Sequence, residues 1–356
     1  MSTDKQLITP LREARRFMID CFKAVGANQA HAEIVADSLL EADYRGHYTH
    51  GMNRLETYIN SLQHGLVYPN AVPTLEQETV ATAVVNGNNG FGAVVGHYCM
   101  NLAIEKAKNT GIGLVVCHDS NHYGIAGIYV LQAIKRGLIG FSTTNSKCLL
   151  VPTRAKKSAL GTNPIGFGVP ANDGDSFVLD MATTVCSLGK IEIQRRKGEP
   201  IPPGWALNKE GKSETDPNIA IRDKLLLPLG GEEITAGYKG YGLAVFVDIL
   251  SGILSGSNYG PYVPNSGTVA NVGHAFIAID PKVFVPGVEN RMSDLMNYLR
   301  NMESVDPNLP VLVAGDPSRQ NMEKVQMDGG LSYVQDQHDT CKKLAERLDV
   351  PPMKSF

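Results

Sequence analysis

The sequence predicts an α/β protein, and three observations carry that prediction. Short apolar runs such as Ile112-Gly113-Leu114-Val115-Val116 and Ala275-Phe276-Ile277-Ala278-Ile279 have the length and composition of buried strands. Longer stretches between them repeat apolar residues at helical spacing, as at Leu11, Ala14, Phe17, Met18, Cys21 and Phe22. Clusters of Gly, Pro and Asn, for example Gly87-Asn88-Asn89-Gly90, separate the two kinds of segment.

A chain of 356 residues can fill one large or two medium cores, and 43% apolar with 19% charged residues is an ordinary globular balance. The net charge of -3 implies no basic face for nucleic acid. No apolar run approaches the ~20 residues that span a bilayer, so no membrane association is expected. The first residues, Met1 to Gln6, lack a signal-peptide core and include Asp4. Six scattered cysteines (21, 99, 117, 148, 186, 341) read as reduced thiols, which points to a cytoplasmic protein. The histidine pairs 47/50 and 118/122 have no Glu placed as in HExxH, and no metal site is expected.

Three helices are expected before residue 65. The first covers 9–25, opened by Thr9 and Pro10. The second runs from Asn28 to a stop at Gly46, and the third follows Gly51. His50, Arg54 and Tyr58 are spaced four apart and would share one helix face. An imidazole, a guanidinium and a phenol on one stripe suit a carboxylate, which Arg holds with two prongs. A solvated helix start capped by Thr49 fits the same residues.

A linker at 69–73 leads to a strand at 79–86, the 87–90 turn and a helix to about Lys108. Gly90, Gly92 and Gly96 imitate a Rossmann glycine turn. The following strand, 112–116, meets no acidic residue in a clear ribose-binding setting, with Asp119 the sole candidate, so dinucleotide binding there is not expected. That strand feeds a polar turn, Cys117-His118-Asp119-Ser120-Asn121-His122-Tyr123-Gly124, before a helix to Arg136. Short polar turns between rigid elements are where enzymes place reacting groups. His122 is the candidate proton donor, and Ser120 as a helix cap is the competing role for the turn.

A strand at 138–143 ends in Thr144-Asn145-Ser146, and 160–170 gathers small residues that let backbone approach a ligand. A strand at 177–184 delivers Asp180. A polar excursion (189–217), the segments 225–231 and 238–243 bracketing a flexible loop, a helix (244–254), a loop (255–272), a strand (275–280), a helix (288–302), a strand (312–317) and a last helix (333–348) complete the expectation.

Together these motifs resemble the malate/L-lactate dehydrogenase family of the second type. That family includes ureidoglycolate and sulfolactate dehydrogenases and a piperideine-2-carboxylate reductase. The matching stretches are Gly46 to Gly51 with Arg54 and Tyr58; Ser120 to Gly124; Thr144 to Ser146; Leu160 to Ile165; and Leu179 to Thr183. Ile201 to Ala206, Thr215 to Pro217 and Tyr238 to Leu243 follow in the family's order.

The resemblance implies a family-specific, non-Rossmann NAD(P)-binding α/β fold with a largely antiparallel central sheet and helical terminal segments. It implies a helical segment at 1–70 packed with 333–356, a catalytic region at 71–332, and a homodimer. By position, His122 matches the general acid/base, and His50, Arg54, Thr49 and Tyr58 the substrate site. Asp180, if it approaches the imidazole or the cofactor amide, would favour the protonated imidazole. Ser146, Gly161, Thr162, Asn163, Asp180, Met181, Ala182, Gly230, Gly231, Lys239 and Gly240 match the cofactor site, with NAD expected and NADP left open. The chain departs from the pattern at Lys147-Cys148, where a shorter polar pair is commoner, and between Glu232 and Gly237.

The implied reaction is hydride transfer between NAD(P) and a small 2-hydroxy/2-oxo acid, with His122 moving the proton. Reduction of a cyclic 2-imino acid is the alternative. A catalytically silent cofactor-binding homologue is a second.

Overall fold

The computed structural model describes residues 7–264 and 267–356. The chain enters through β1 (Leu7–Thr9) and α1 (Leu11–Ala24), then α2 (Gln29–Tyr44), whose first turn is capped by the Asn28 side chain accepting from His31 N–H. Two single 3-10 turns, Tyr48–His50 and Met52–Arg54, lead into α3 (Leu55–Gln63).

There follow β2 (Thr74–Glu78), β3 (Thr82–Asn86), α4 (Gly92–Thr110), β4 (Ile112–Ser120), α5 (Gly127–Ile134), β5 (Ile139–Thr144), β6 (Ile165–Pro170) and β7 (Ser176–Met181). Next come α6 (Leu188–Lys197), β8 (Ala206–Leu207), β9 (Ser213–Glu214), α7 (Pro217–Asp223) and α8 (Gly237–Asp248). The chain closes with β10 (Val272–Ile279), α9 (Val288–Arg300), α10 (Asp316–Asp328), β11 (Leu331–Tyr333) and α11 (Gln335–Leu348).

The main sheet has the order β2-β3-β4-β10-β5-β6-β7. Among the described residues β3 and β4 run parallel, and every other neighbouring pair in this sheet is antiparallel. Strand β10 lies at the centre, with Ala275 opposite Val116 on one side and Thr143 on the other. Its burial on both faces explains a nearly continuous apolar sequence.

Helix α4 covers one face through Cys99, Met100, Ala103, Ile104 and Ala107, packed on Val115, Cys117, Phe276 and Ala278. The approach is close at Gly113, where a Cβ would stand 2.1 Å from the Ala103 carbonyl oxygen. At the other end of the molecule, β1 pairs antiparallel with β11. A second core there joins Phe17, Phe22, Leu39 and Ile59 to Leu331, Tyr333 and Leu344.

Several elements differ from expectation. Strand β4 continues through Cys117, His118 and Asp119 to Ser120, because β10 and β3 supply ladder partners along that length. Pairing overrides the low strand preference of those polar residues. The polar excursion contains α6, capped by the Ser187 side chain and stopped at Gly198 (φ 69°), as well as α7. The helix expected from Ala244 begins earlier, at Gly237 in α8, and continues as a π-turn over Ile249–Ile253.

The strand expected at 312–317 is absent. Its Ala314 carbonyl accepts a single backbone hydrogen bond from Val178, and Pro317 in the first turn starts α10.

Candidate active site

The joint after α2 and the turn after β4 meet at one cleft. His122 follows the last residue of β4 by two positions, and its Nδ1 lies 2.5 Å from the Tyr58 hydroxyl on α3. The Gly124 N–H also points to Nδ1, at 3.3 Å. The His50 ring stacks on His122, with centroids 5.6 Å apart and planes 21° apart. His50 Nδ1 is 2.9 Å from the Thr49 hydroxyl, and Arg54 Nε donates to the Thr49 carbonyl at 2.7 Å.

The structure therefore brings Thr49, His50, Arg54, Tyr58 and His122 together. Their path is not the single helical stripe expected, because His50 and Arg54 sit on separate 3-10 turns that hinge at Gly51.

The electrostatics keep both imidazoles neutral. Burial is the main cause for His122, whose affinity for a proton falls well below the ordinary histidine range, and His50, Arg54, His274 and Lys147 add to it. The residue is exposed to solvent in the cleft, which weakens the desolvation as well as the cationic contributions. His50 is pushed down to about 3, again mainly by burial, with Arg54 and His47 assisting. Desolvation holds the Tyr58 phenol above its usual range, so it remains an intact hydroxyl. Lys147 is lowered by burial and by Lys224 and Arg54, and among the described residues it has no ion-pair partner.

Two residues outside the sequence expectation support the cleft, one behind the turn after β4 and one against the joint after α2. His274, on β10, is fully buried, with Nε2 2.8 Å from the Ser120 hydroxyl and Nδ1 2.7 Å from that of Thr144. Its ring stacks on Tyr123 at 4.6 Å. The Ser120 hydroxyl thus serves His274, and α5 begins at Ala126 with no side-chain cap, which corrects the capping role considered for Ser120. The second is Gly189 in α6, where a Cβ would fall 2.4 Å from Thr49 Cγ2. Neither carries a local sequence signal, since both act through contacts distant in the chain.

The expected cofactor residues fall in two places. The Ser146 hydroxyl accepts from Thr162 N–H at 3.1 Å, and the Asn163 side chain accepts from Ser146 N–H at 3.3 Å. At Gly161 a Cβ would collide with Ser146 Oγ at 2.3 Å. Thr183 bonds the carbonyls of Thr162 and Asn163, and Leu229 N–H donates to Thr183 O at 2.8 Å. Gly240 packs on Leu229, and Gly230 (φ 97°) with Gly231 (φ 77°) turns the chain there. Ser146, Gly161 to Asn163, Gly230, Gly231 and Gly240 therefore form one strip. Lys239 lies on its exposed side.

Asp180 is elsewhere. Its carboxylate accepts from Gly127 N–H at 2.7 Å, at the start of α5, rather than approaching the His122 imidazole. This corrects its expected effect on that ring. Asp180 instead lines a cavity of about 390 Å³ with Arg45, His47, Leu131, Val313 and Gly315. Met181 is paired in the sheet opposite Ile165, and Ala182 follows it toward Thr183. Burial raises the Asp180 carboxyl against the lowering effect of His47. Among the described residues no three His, Cys, Asp or Glu side chains gather as a metal-ligand set.

The family profile for malate/L-lactate dehydrogenase matches residues 9–341. The chain belongs to the malate/L-lactate dehydrogenase family. It is 40% identical over 345 residues to a malate dehydrogenase of Pyrococcus abyssi, covering 96% of this chain and 95% of that one. It is 36% identical to a malate/(S)-sulfolactate dehydrogenase of Methanothermus fervidus, covering 97% and 98%. The crystal structure of malate dehydrogenase from Entamoeba histolytica superposes with a TM-score of 0.92 at 33% identity, over 98% and 99% of the two chains.

The chain is therefore an enzyme, an oxidoreductase acting on small 2-hydroxy carboxylic acids, and membership of a dehydrogenase family implies a nicotinamide cofactor. Among the described residues no helix is long and apolar enough to cross a membrane.

Proposed function

We propose that His122 is the proton partner of hydride transfer at C2 of a 2-hydroxy/2-oxo acid whose carboxylate is held by Arg54 and His50. The observation that supports this most directly is the Tyr58–His122 contact. A phenol can accept from Nδ1–H or donate to Nδ1, so it satisfies the ring in either protonation state. Nε2 is then left to face the substrate oxygen. The bound nicotinamide supplies or takes up the hydride.

In the oxidative direction the neutral His122 takes the hydroxyl proton. In the reductive direction it must first be protonated, and a bound carboxylate favours this by placing negative charge beside it. Arg54, fixed through Nε to Thr49, offers its remaining N–H groups to the carboxylate and orients C2.

The Ser146–Asn163–Gly230 strip and the Asp180 cavity fit a dinucleotide, because backbone approaches closely in the first and the second combines a carboxylate with apolar walls. Arg45 is already engaged by Glu41 at 2.6 Å, which leaves Asp180 as an acceptor for ribose hydroxyls. We therefore favour NAD over NADP, whose ribose phosphate this carboxylate would repel. The NAD(P) site is read as that of a non-Rossmann fold. Of the proposed 1–70 segment, residues 7–70 pack with 333–356 and present the carboxylate grip, and 71–332 presents His122 and the cofactor strip.

A homodimer is also proposed. Leu243, Phe246, Ile249, Ile253 and Leu254 form an exposed apolar run along α8 and its π-turn, a pattern characteristic of protein contact surfaces. The direct test is an activity matrix of NADH and NADPH against mono- and dicarboxylic 2-oxo acids and a cyclic 2-imino acid. Reduction of 2-oxo acids, with NADH preferred, is expected. Preference for the imino acid would reassign the substrate, and tight cofactor binding without any turnover would contradict catalysis.

A further inference from the structure

We propose that Asp43, which touches neither substrate nor cofactor, is the positioning residue that sets the carboxylate grip of this enzyme. It lies near the end of α2 and is fully buried. One carboxylate oxygen, Oδ2, accepts from Met52 N–H at 2.8 Å and from the Tyr333 hydroxyl at 2.6 Å. Met52 lies between His50 and Arg54, so this bond clamps the backbone at the hinge between the two 3-10 turns that carry them. Tyr333 belongs to β11, so the clamp is held from behind by the C-terminal segment.

The fit is tight on the other oxygen as well. Oδ1 is buried without a hydrogen-bond partner. It packs on Gly51, where a Cβ would stand 1.9 Å away. Gly51 has φ -97°, so its need for glycine is steric and comes from Asp43. A buried carboxylate that leaves one oxygen unsatisfied is costly, and burial raises its pKa to about 7. Tyr48 stacks edge-on against Tyr333 at 6.4 Å, and Asn321 Nδ2 donates to the Tyr44 carbonyl at 2.9 Å, so the surrounding joint is fixed too. What the carboxylate accomplishes for this cost is the placement of His50 and Arg54 relative to His122.

The inference rests on the proposed carboxylate role of Arg54 and is tested with Tyr333→Phe, Asp43→Ala and Asp43→Asn in the full-length enzyme. Thermal midpoint, NADH affinity by fluorescence titration, and KM and kcat for the preferred 2-oxo acid are measured for each. Tyr333→Phe should raise KM for the oxo acid about threefold, and Asp43→Ala about tenfold or more, while NADH affinity stays within about twofold. Asp43→Asn keeps an acceptor oxygen and the shape, and should return KM to within about threefold of wild type. If Asp43→Ala does not fold, Tyr333→Phe, which removes one donor only, still decides. A lowered thermal midpoint with unchanged KM and kcat in Tyr333→Phe would overturn the positioning role. Failure of the wild type to reduce any 2-oxo acid would instead remove the functional reading beneath it.

Discussion

His122 illustrates how a residue's chemistry depends on what surrounds it. An isolated histidine titrates near neutrality, yet here desolvation and a stacked second histidine lower the ring's affinity for a proton. The clustering of His122, His50, Arg54 and Tyr58 was legible in the sequence because they fall in short, ordered motifs. The partner of Asp180 was not, since Gly127 lies 53 positions away in the chain. His274, Gly189 and Asp43 were not legible, because their importance lies in what they touch.

Lys147 stood out as a departure from the family pattern, and its position suggests a test. It adds a second, unpaired cation close enough to Arg54 and His122 to depress both its own and His122's proton affinity. On the proposed reading, an ammonium there suits a substrate with a second anionic group. Lys147→Met should raise KM about tenfold for a dicarboxylic 2-oxo acid and leave a monocarboxylic one within about twofold, as steady-state kinetics would show. Equal effects on both would remove it from the distal end of the substrate.

At the scale of elements, most strands and helices followed from periodicity, and the misses come from pairing with distant strands or from elements too short to show a period. Strand β4 outran its apolar stretch because neighbours on both sides offered ladder bonds. The segment at 312–315 is apolar like a strand, but among the described residues it gains no ladder, and Pro317 hands the chain to α10. The short β1 and β11 escaped notice because three residues carry no periodicity.

Helix α8 supplies a prediction at this scale. An exposed apolar face on a rigid helix is a reason for association, and a carboxylate at its centre opposes burial. Phe246→Glu should shift the protein from dimer to monomer at micromolar concentration in sedimentation-velocity runs. A variant with wild-type sedimentation would exclude this face.

Considered whole, the molecule keeps several titratable groups in their neutral forms. His50 and His274 are both lowered to about 3 in the fold, so below pH ~6.5 the unfolded chain binds protons that the folded chain refuses. Their contribution to stability is complete above that pH and is lost as pH falls toward 3, by up to ~1.4 kcal/mol per unit for each histidine. Asp43 acts in the opposite sense, because its raised carboxyl favours the fold as pH drops below about 7. His97, His122 and His338 are lowered as well, against raised values for Asp180, Asp248 and His118 besides Asp43, so the lowered histidines predominate and the urea midpoint should fall between pH 7 and pH 5. A midpoint that holds or rises would contradict neutral burial of these rings.

The central claim concerns His122 itself, and the measurement is turnover and NADH binding determined separately for His122→Ala. General acid–base catalysis contributes about 10²- to 10⁴-fold, so kcat should fall by that order while NADH affinity stays within about twofold of wild type. Turnover at the wild-type rate would contradict the account.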